Sequence, residues 1–240
     1  MKGKKKSAPK IAFEEQFSSL GDLYKSYKNC RRCNLHEECA ATITKSRGTK
    51  DAAIMIIGES PGEEEWKQGI PFVGASGSFL CQAMTILNEW VDPSLEYYIE
   101  EDFDHPEVHQ VIDNNFYITN AVLCWPGDRK PAKSEYNSCR DRLRNEIYLV
   151  DPILIITLGK HAAESVLGHP VAITSKHGKM YKTRIPGKSL PYIEYPVMTL
   201  VHPSFVLREG DKSEWGDLFM EALEQGLEMY HRTRDIIGEQ

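Results

Sequence analysis

The sequence predicts a three-layer α/β/α domain with a central four-stranded parallel sheet flanked by helices. Three observations carry that expectation. Four short apolar, β-branched runs recur along the chain, and stretches of helical length lie between or around them. Hydrophobicity within each run is continuous and not alternating, as expected of strands buried on both faces. Each run also ends directly in a loop rich in Gly, Pro and polar side chains.

The elements follow in chain order. Residues 1–10 (MKGKKKSAPK) read as a Lys-rich flexible N-terminus, and residues 11–235 as one domain. A helix is expected over 11–28, leading into Cys30 and Cys33. The predicted strands are 52–58 (AAIMIIG), 116–122 (FYITNAV), 153–159 (ILIITLG) and 196–201 (PVMTLV). Helices are expected over 76–90 and 134–149, each opening on a capping serine, and over 160–167 and 213–232. In the second of these Cys139, Leu143 and Ile147 share a face at i, i+4 and i+8. Residues 89–113 read as an acidic surface insertion, and 176–194 as a long loop or hairpin.

Composition excludes several classes. Apolar residues make up 41% and charged residues 27%, which is incompatible with wholesale disorder. No apolar run approaches the roughly 18 residues of a membrane span. The lysines of the N-terminus lead into no hydrophobic region of a secretory signal. A soluble, intracellular, cytoplasmic protein is expected. The net charge of −6 argues at first against a nucleic-acid partner. Its distribution does not, because 89–107 holds eight acids and no Lys or Arg, whereas 25–50, 125–144 and 160–188 are basic.

In open parallel sheets ligands bind beyond the carboxyl ends of the strands, so the four loops are expected to converge. The first, GESPGEEEWKQGIPFVGASG (58–77), has glycines for close backbone approach and a Phe72 that presents its ring to a planar ligand or packs in the core. Asn120 ends an apolar strand, and its amide suits either the Watson–Crick edge of a base or a turn cap. His202 ends the last strand, as a donor to a developing anion or as a turn histidine. Ser204 suits a cap or a phosphate, and Arg208 suits DNA or solvent. Cys30-x-x-Cys33 has metal-ligand spacing but equally that of a redox pair, and Cys124 and Cys139 form no second such motif.

These loops resemble the iron–sulfur (family 4) uracil-DNA glycosylases. GESPGEEEWKQGIPFVGASG is similar to that family's first motif, TNAVLCWPGDRKP (119–131) to its T-N-x-V-K-C-R-P-P-x-N-R-x-P segment, and VHPSFVLR (201–208) to its second catalytic motif. LGKHAAESVLG (158–168) resembles the third-strand segment, and the similarity runs in order over about residues 25–230. The resemblance implies a uracil-DNA glycosylase-like fold and a DNA-repair glycosylase that flips uracil out of DNA and hydrolyses its N-glycosidic bond, leaving an abasic site. It implies catalytic roles for Glu59 and His202, and substrate-binding roles for Ser60, Glu65, Phe72, Asn120, Ser204 and Arg208. It further implies a 4Fe–4S cluster, in preference to zinc, on Cys30, Cys33, Cys124 and Cys139. The expected partner is uracil-containing DNA, single- or double-stranded, bound by a monomer. Cys39 and Cys81 are left over, the latter as a core residue.

The chain also departs from the family pattern. Ser60 stands at the usual Ala, Trp66 at the second acid, and Trp125 and Asp128 at a basic and an amide position. These departures leave two other readings open: a member with a different base preference (thymine or a modified pyrimidine), or a non-catalytic iron–sulfur DNA-binding module associated with replication. A zinc-bound protein acting on free nucleotides is a third.

Overall fold

The computed structural model describes residues 17–38, 43–86, 106–186, 191–210 and 213–238. The Lys-rich tip, Cys39 and most of the acidic 89–113 stretch lie outside the described residues.

Continuous apolar runs become the sheet. Strands β1 (Arg47–Gly48), β2 (Ile54–Gly58), β3 (Phe116–Asn120), β4 (Leu154–Leu158), β5 (Lys179–Ile185) and β6 (Ile193–Leu200) are arranged in the order β1-β3-β2-β4-β6-β5. The four expected strands are β2, β3, β4 and β6, and they run parallel side by side. Two antiparallel edge strands, the two-residue β1 and the seven-residue β5, extend this four-stranded core to six. β1 pairs with β3, and β5 forms a hairpin with β6 inside the stretch read as a loop or hairpin. β5 carries Lys179, Lys182 and Arg184 outward, so the edge is charged and resists pairing with other chains.

Period-2 alternation splits the strand side chains between two apolar layers. On one face Ile54, Ile56, Phe116, Ile118, Leu154 and Ile156 meet helices α4 (Ala75–Ile86), α5 (Pro106–Asn115) and α9 (Trp215–Gly238). On the other, Met55, Ile57, Tyr117 and Ile155 meet α2 (Leu35–Glu38), α6 (Lys133–Val150) and α7 (Lys160–Leu167). Leu143 and Ile147 are buried here and Cys139 packs beside them, as their spacing on α6 requires. Cys81 is buried in the opposite layer. Each fully buried Leu or Ile contributes about 1.5–3 kcal/mol, so these two layers dominate the stability of the fold.

Helix α1 (Leu20–Tyr27) starts at its cap Ser19, whose side chain accepts from the Asp22 N–H; residues 11–16 of the predicted 11–28 segment lie outside the described residues. Ser134 does not cap α6. The cap position is Ala132, whose N–H donates to the Glu135 carboxylate at 2.6 Å. Two short helices were hidden in motif loops: α3 (Glu63–Gln68), with three acids in its first turn, and α8 (Pro203–Glu209), with Pro203 at its first position. No helix among the described residues is long and apolar enough to cross a membrane.

One half-buried histidine braces the end of the last strand. His177 Nδ1 accepts from the Val201 N–H and Nε2 lies 3.0 Å from the Leu218 carbonyl, which fixes the neutral Nε2–H tautomer. Burial lowers its pKa below the ordinary 6.5, and burial does the same for His202. In that pH range the unfolded chain binds more protons than the folded one, so stability rises with pH. The contribution of both rings is present above about pH 6.5 and is lost as pH falls through their lowered values. Melting curves between pH 8 and pH 5 should show the midpoint falling below about pH 6.5, with a smaller fall in His177→Gln.

Candidate active site

The parallel register brings the strand ends together. Gly58 pairs with Asn120, Ile57 with Thr157, and Leu158 with Leu200. The loops that follow form an open cleft of about 390 Å³, within the ~300–1,000 Å³ of small-ligand sites. Glu59, Ser60, Glu65, Phe72, Asn120, His202, Ser204 and Arg208 all line it.

Phe72 and Asn120 meet over Gly58. Phe72 is a bulky residue at φ +56°, a left-handed conformation that costs about 1–3 kcal/mol and is held only by its surroundings. A Cβ at Gly58 would lie 2.7 Å from Phe72 Cζ and collide with Asn120 Oδ1, so only glycine lets ring and amide sit together. Glu65 supplies the restraint: its carboxylate accepts from the Gly62 N–H at 3.0 Å and from the Gly74 N–H at 3.2 Å, tying the two ends of the Phe72 loop. Gly58→Ala should therefore displace both groups. We expect kcat/KM of the reaction carried out in this cleft to fall about 100-fold, the scale of a 1 Å misplacement, with a ~1–3 kcal/mol stability loss from overpacking; steady-state kinetics and thermal melts check the two separately.

Asn120 is 3% exposed, yet its side-chain amide has no hydrogen-bond partner among the described residues. The amide lines the cleft, so its donor and acceptor are available to whatever enters. His202 stands across the cleft, with its ring 6.3 Å from that of Phe72 at an angle of 26°. Its Nδ1 lies 3.1 Å from the Ser204 N–H, which can only donate, and 2.9 Å from Ser204 Oγ. Nδ1 is therefore an acceptor, and the neutral ring carries its proton on Nε2, which has no partner among the described residues. Burial holds the His202 pKa below its ordinary value, opposed by the nearby Glu59 charge, so the neutral donor is the form present at pH 7. Arg208 Nη1 donates to Ser204 Oγ at 3.2 Å from the exposed end of α8.

Glu59 follows β2 and is fixed by the start of α7. Its Oε1 accepts from the His161 N–H at 3.0 Å, and Lys130 Nζ lies 4.0 Å from Oε2. Gly159, at φ +95°, leaves the space this carboxylate crosses, since a Cβ there would sit 3.0 Å from Glu59 Cδ. The result is a positioned negative charge at a helix N-terminus on the cleft wall.

Behind the cleft is a buried network absent from the sequence expectations. Arg142 on α6 is fully buried, and its Nη2 donates to the carbonyls of Asn120 (2.6 Å) and Ala121 (2.7 Å). Its Nη1 pairs with Glu146, whose carboxylate also accepts from Tyr117 Oη at 2.6 Å, from Thr119 Oγ1 at 3.2 Å and from Tyr24 Oη. This pins the strand end that presents Asn120. The i, i+4 spacing of Arg142 and Glu146 is compatible with an ion pair but carries no sign of its burial.

The cysteines Cys30, Cys33, Cys124 and Cys139 are half-buried and form no disulfide among the described residues. Cys33, Cys124 and Cys139 pack against the same apolar layer, and Cys30 lies near enough to Cys33 and Cys139 to oppose their ionisation. Burial pushes the Cys33 and Cys139 thiols up. The opposing donors are the Leu35 N–H at Cys33, and Arg142 with the Leu123 N–H at Cys139. An all-thiol donor set with N–H groups on its sulfurs fits an iron–sulfur group by chemistry. Among the described residues no three His, Cys, Asp or Glu side chains converge closely enough to hold one metal ion.

The basic segments are less free than their composition suggested. Arg129 is engaged by Glu135 and Glu38, Arg140 donates to the Glu164 carbonyl, and Arg142 is buried. Lys130, Lys160 and Arg208 line the cleft as exposed cations, and Arg129 is exposed there too but held in its ion pairs.

Residues 46–224 match the model of the uracil DNA glycosylase superfamily. The chain belongs to that superfamily. The curated relatives of this superfamily member include the type-4 uracil-DNA glycosylase of Archaeoglobus fulgidus, 27% identical over 79% of this chain and 83% of the relative. The chain is likewise similar to those of Saccharolobus solfataricus (31% identical, covering 73% of this chain and 74% of the relative) and Thermotoga maritima (30%, covering 75% and 79%). The superfamily's α/β/α layers are those described above, with the cleft at the carboxyl edge of the sheet.

Proposed function

We propose that this chain is a uracil-DNA glycosylase that hydrolyses the N-glycosidic bond of uracil in DNA and leaves an abasic site. The observation that carries the proposal is the open, near-buried amide of Asn120 beside the Phe72 ring and the Nε2–H of His202. A base inside a duplex cannot reach this cleft, so it must be extruded. The extruded uracil stacks on Phe72, and the Asn120 amide offers an acceptor to N3–H and a donor to O4.

As the C1′–N1 bond lengthens, its electron pair moves onto the base and charge accumulates on O2. The neutral His202 Nε2–H donates a hydrogen bond to that oxygen and keeps its proton, while the Ser204 N–H holds the opposite nitrogen. The sugar becomes cationic, and the fixed Glu59 carboxylate opposes that charge. Water then adds its oxygen to C1′, and its proton balances the departing uracil anion. Ser60 borders the same cleft wall, Glu65 keeps the Phe72 loop closed, and Ser204 with Arg208 faces the strand.

Cys30, Cys33, Cys124 and Cys139 would hold a 4Fe–4S cluster. When bound, that group supplies a structural cross-link and not a redox step. Arg142 lies against both the Cys139 site and the Asn120 carbonyl, so the chain itself joins cluster region and base pocket. A monomer carries all of these groups.

Purified protein incubated with single- and double-stranded uracil-containing oligonucleotides, then treated with alkali, tests the activity. Cleavage at the uracil position is expected; intact strands with binding preserved would support the non-catalytic DNA-binding reading. Iron and sulfide analysis of the same preparation separates an iron–sulfur group from zinc.

A further inference from the structure

Two tryptophans stand apart from the core. Trp66 lies on α3 directly after Glu65, and Trp125 follows Cys124 in the loop beyond β3. Their rings stack with centroids 4.7 Å apart and 29° between the planes. Both are half-buried, and neither belongs to the apolar clusters on the two faces of the sheet. The Trp66 Nε1 is buried without a hydrogen-bond partner among the described residues, and Trp125 lines the cleft. These are also two of the positions at which the chain departs from the motif it otherwise follows, where an acid and a base have given way to two indoles in contact.

A cleft-lining indole backed by a second one, outside the apolar clusters, brings aromatic surface to the wall of a polar cleft. Lys130, 77% exposed, also lines the cleft. An aromatic face with a cation nearby is the arrangement that holds unpaired nucleic acid, the base on the ring and the phosphate on the charge. The base-reading end of the cleft is already occupied by the roles of Phe72, Asn120 and His202.

We propose that Trp125, backed by Trp66, is a second nucleobase subsite: a stacking platform for an unpaired base immediately flanking the extruded uracil on the same strand. The inference rests on the glycosylase reading and deepens it. Every base has a π-face, so the platform tolerates any flanking base. A base that must leave its own stack to reach the platform is most available in single-stranded DNA, so excision from single strands is favoured over excision from duplex.

The test uses the full chain and single-stranded oligonucleotides with one uracil, in which a tetrahydrofuran abasic residue replaces the base at each flanking position in turn. For the wild type, one immediate neighbour should raise KM on the order of 10- to 100-fold when its base is missing. Trp125→Ala should raise KM similarly on the intact strand and show no further loss on that abasic strand. Trp125→Phe should retain most of the wild-type KM, and inhibition by free uracil should be unchanged in both variants. An equal penalty for Trp125→Ala on every strand, or loss of free-uracil inhibition with it, would overturn the proposal.

If the wild type excises nothing, the glycosylase reading fails, and the platform is read by equilibrium binding alone. Strands without uracil should then bind the wild type more tightly than Trp125→Ala by the same 10- to 100-fold. Equal binding would overturn the platform independently.

Discussion

His202→Ala is expected to lower kcat for uracil excision about 100- to 1,000-fold while leaving affinity for uncleaved DNA within about 3-fold. Removing one preorganised donor to a developing oxyanion carries that cost, and the Nε2–H of His202 is such a donor only because Ser204 N–H fixes the tautomer. The same ring caps α8, and loss of a cap side chain costs about 1 kcal/mol of stability. His202→Asn separates the two effects, since asparagine is a good cap but places no donor at the Nε2 position. It should melt close to the wild type and remain as inactive as His202→Ala. Single-turnover rates and melting curves on the same preparations make the comparison. Loss of activity that tracked the melting temperature across the two variants would show a structural role only.

Arg142→Met is the largest stability effect expected. Arg142 is fully buried with Glu146, so removing the guanidinium strands a carboxylate and the carbonyls of Asn120 and Ala121 away from water. Breaking a buried pair on one side costs about 3–5 kcal/mol, which for a domain of this size lowers the melting midpoint by roughly 6–20 °C. The double variant Arg142→Met, Glu146→Met removes both charges and should lose less than the sum of the single variants, although the hydroxyls of Tyr24, Tyr117 and Thr119 then lack their acceptor. Arg184→Met, at the exposed β5 edge, should leave the midpoint unchanged, because a solvent-exposed ion pair contributes little. The folded fraction of Arg142→Met should also excise more slowly, since Arg142 Nη2 holds the Asn120 carbonyl at 2.6 Å. Equal midpoints for Arg142→Met and Arg184→Met would contradict the buried-pair account.

The four parallel strands were legible because burial on both faces leaves a continuous apolar run, as in IMIIG of β2 and LIITL of β4. The edges were not. β5 alternates charged and apolar residues along one exposed margin, and β1 has two residues whose pairing depends on where β3 lies. α3 was masked by the glycines around it, and α8 by reading Pro203 as a turn residue when it opens a helix. Ser134 looked like a cap from position alone, but Glu135 reaches back to the Ala132 N–H, which fixes the start of α6 earlier.

The cleft residues were readable because a polar side chain at the end of an apolar strand has few structural uses. Gly58 was less so: its role is steric and appears only when Phe72 and Asn120 are seen to share the space above it. Arg142 and Glu146 read as solvated charges on a helix, and nothing local in the sequence says that both are buried. The same limit applied to Arg129, counted as free basic charge but held by Glu38 and Glu135.

The most direct test of the central claim is to identify the small product. Enzyme in excess over a single-stranded oligonucleotide carrying one uracil, with the released base analysed by mass spectrometry, should yield free uracil and an abasic strand in equal amounts. Asn120→Ala and His202→Ala should yield far less under the same conditions. Binding of that strand without any free base would contradict the account.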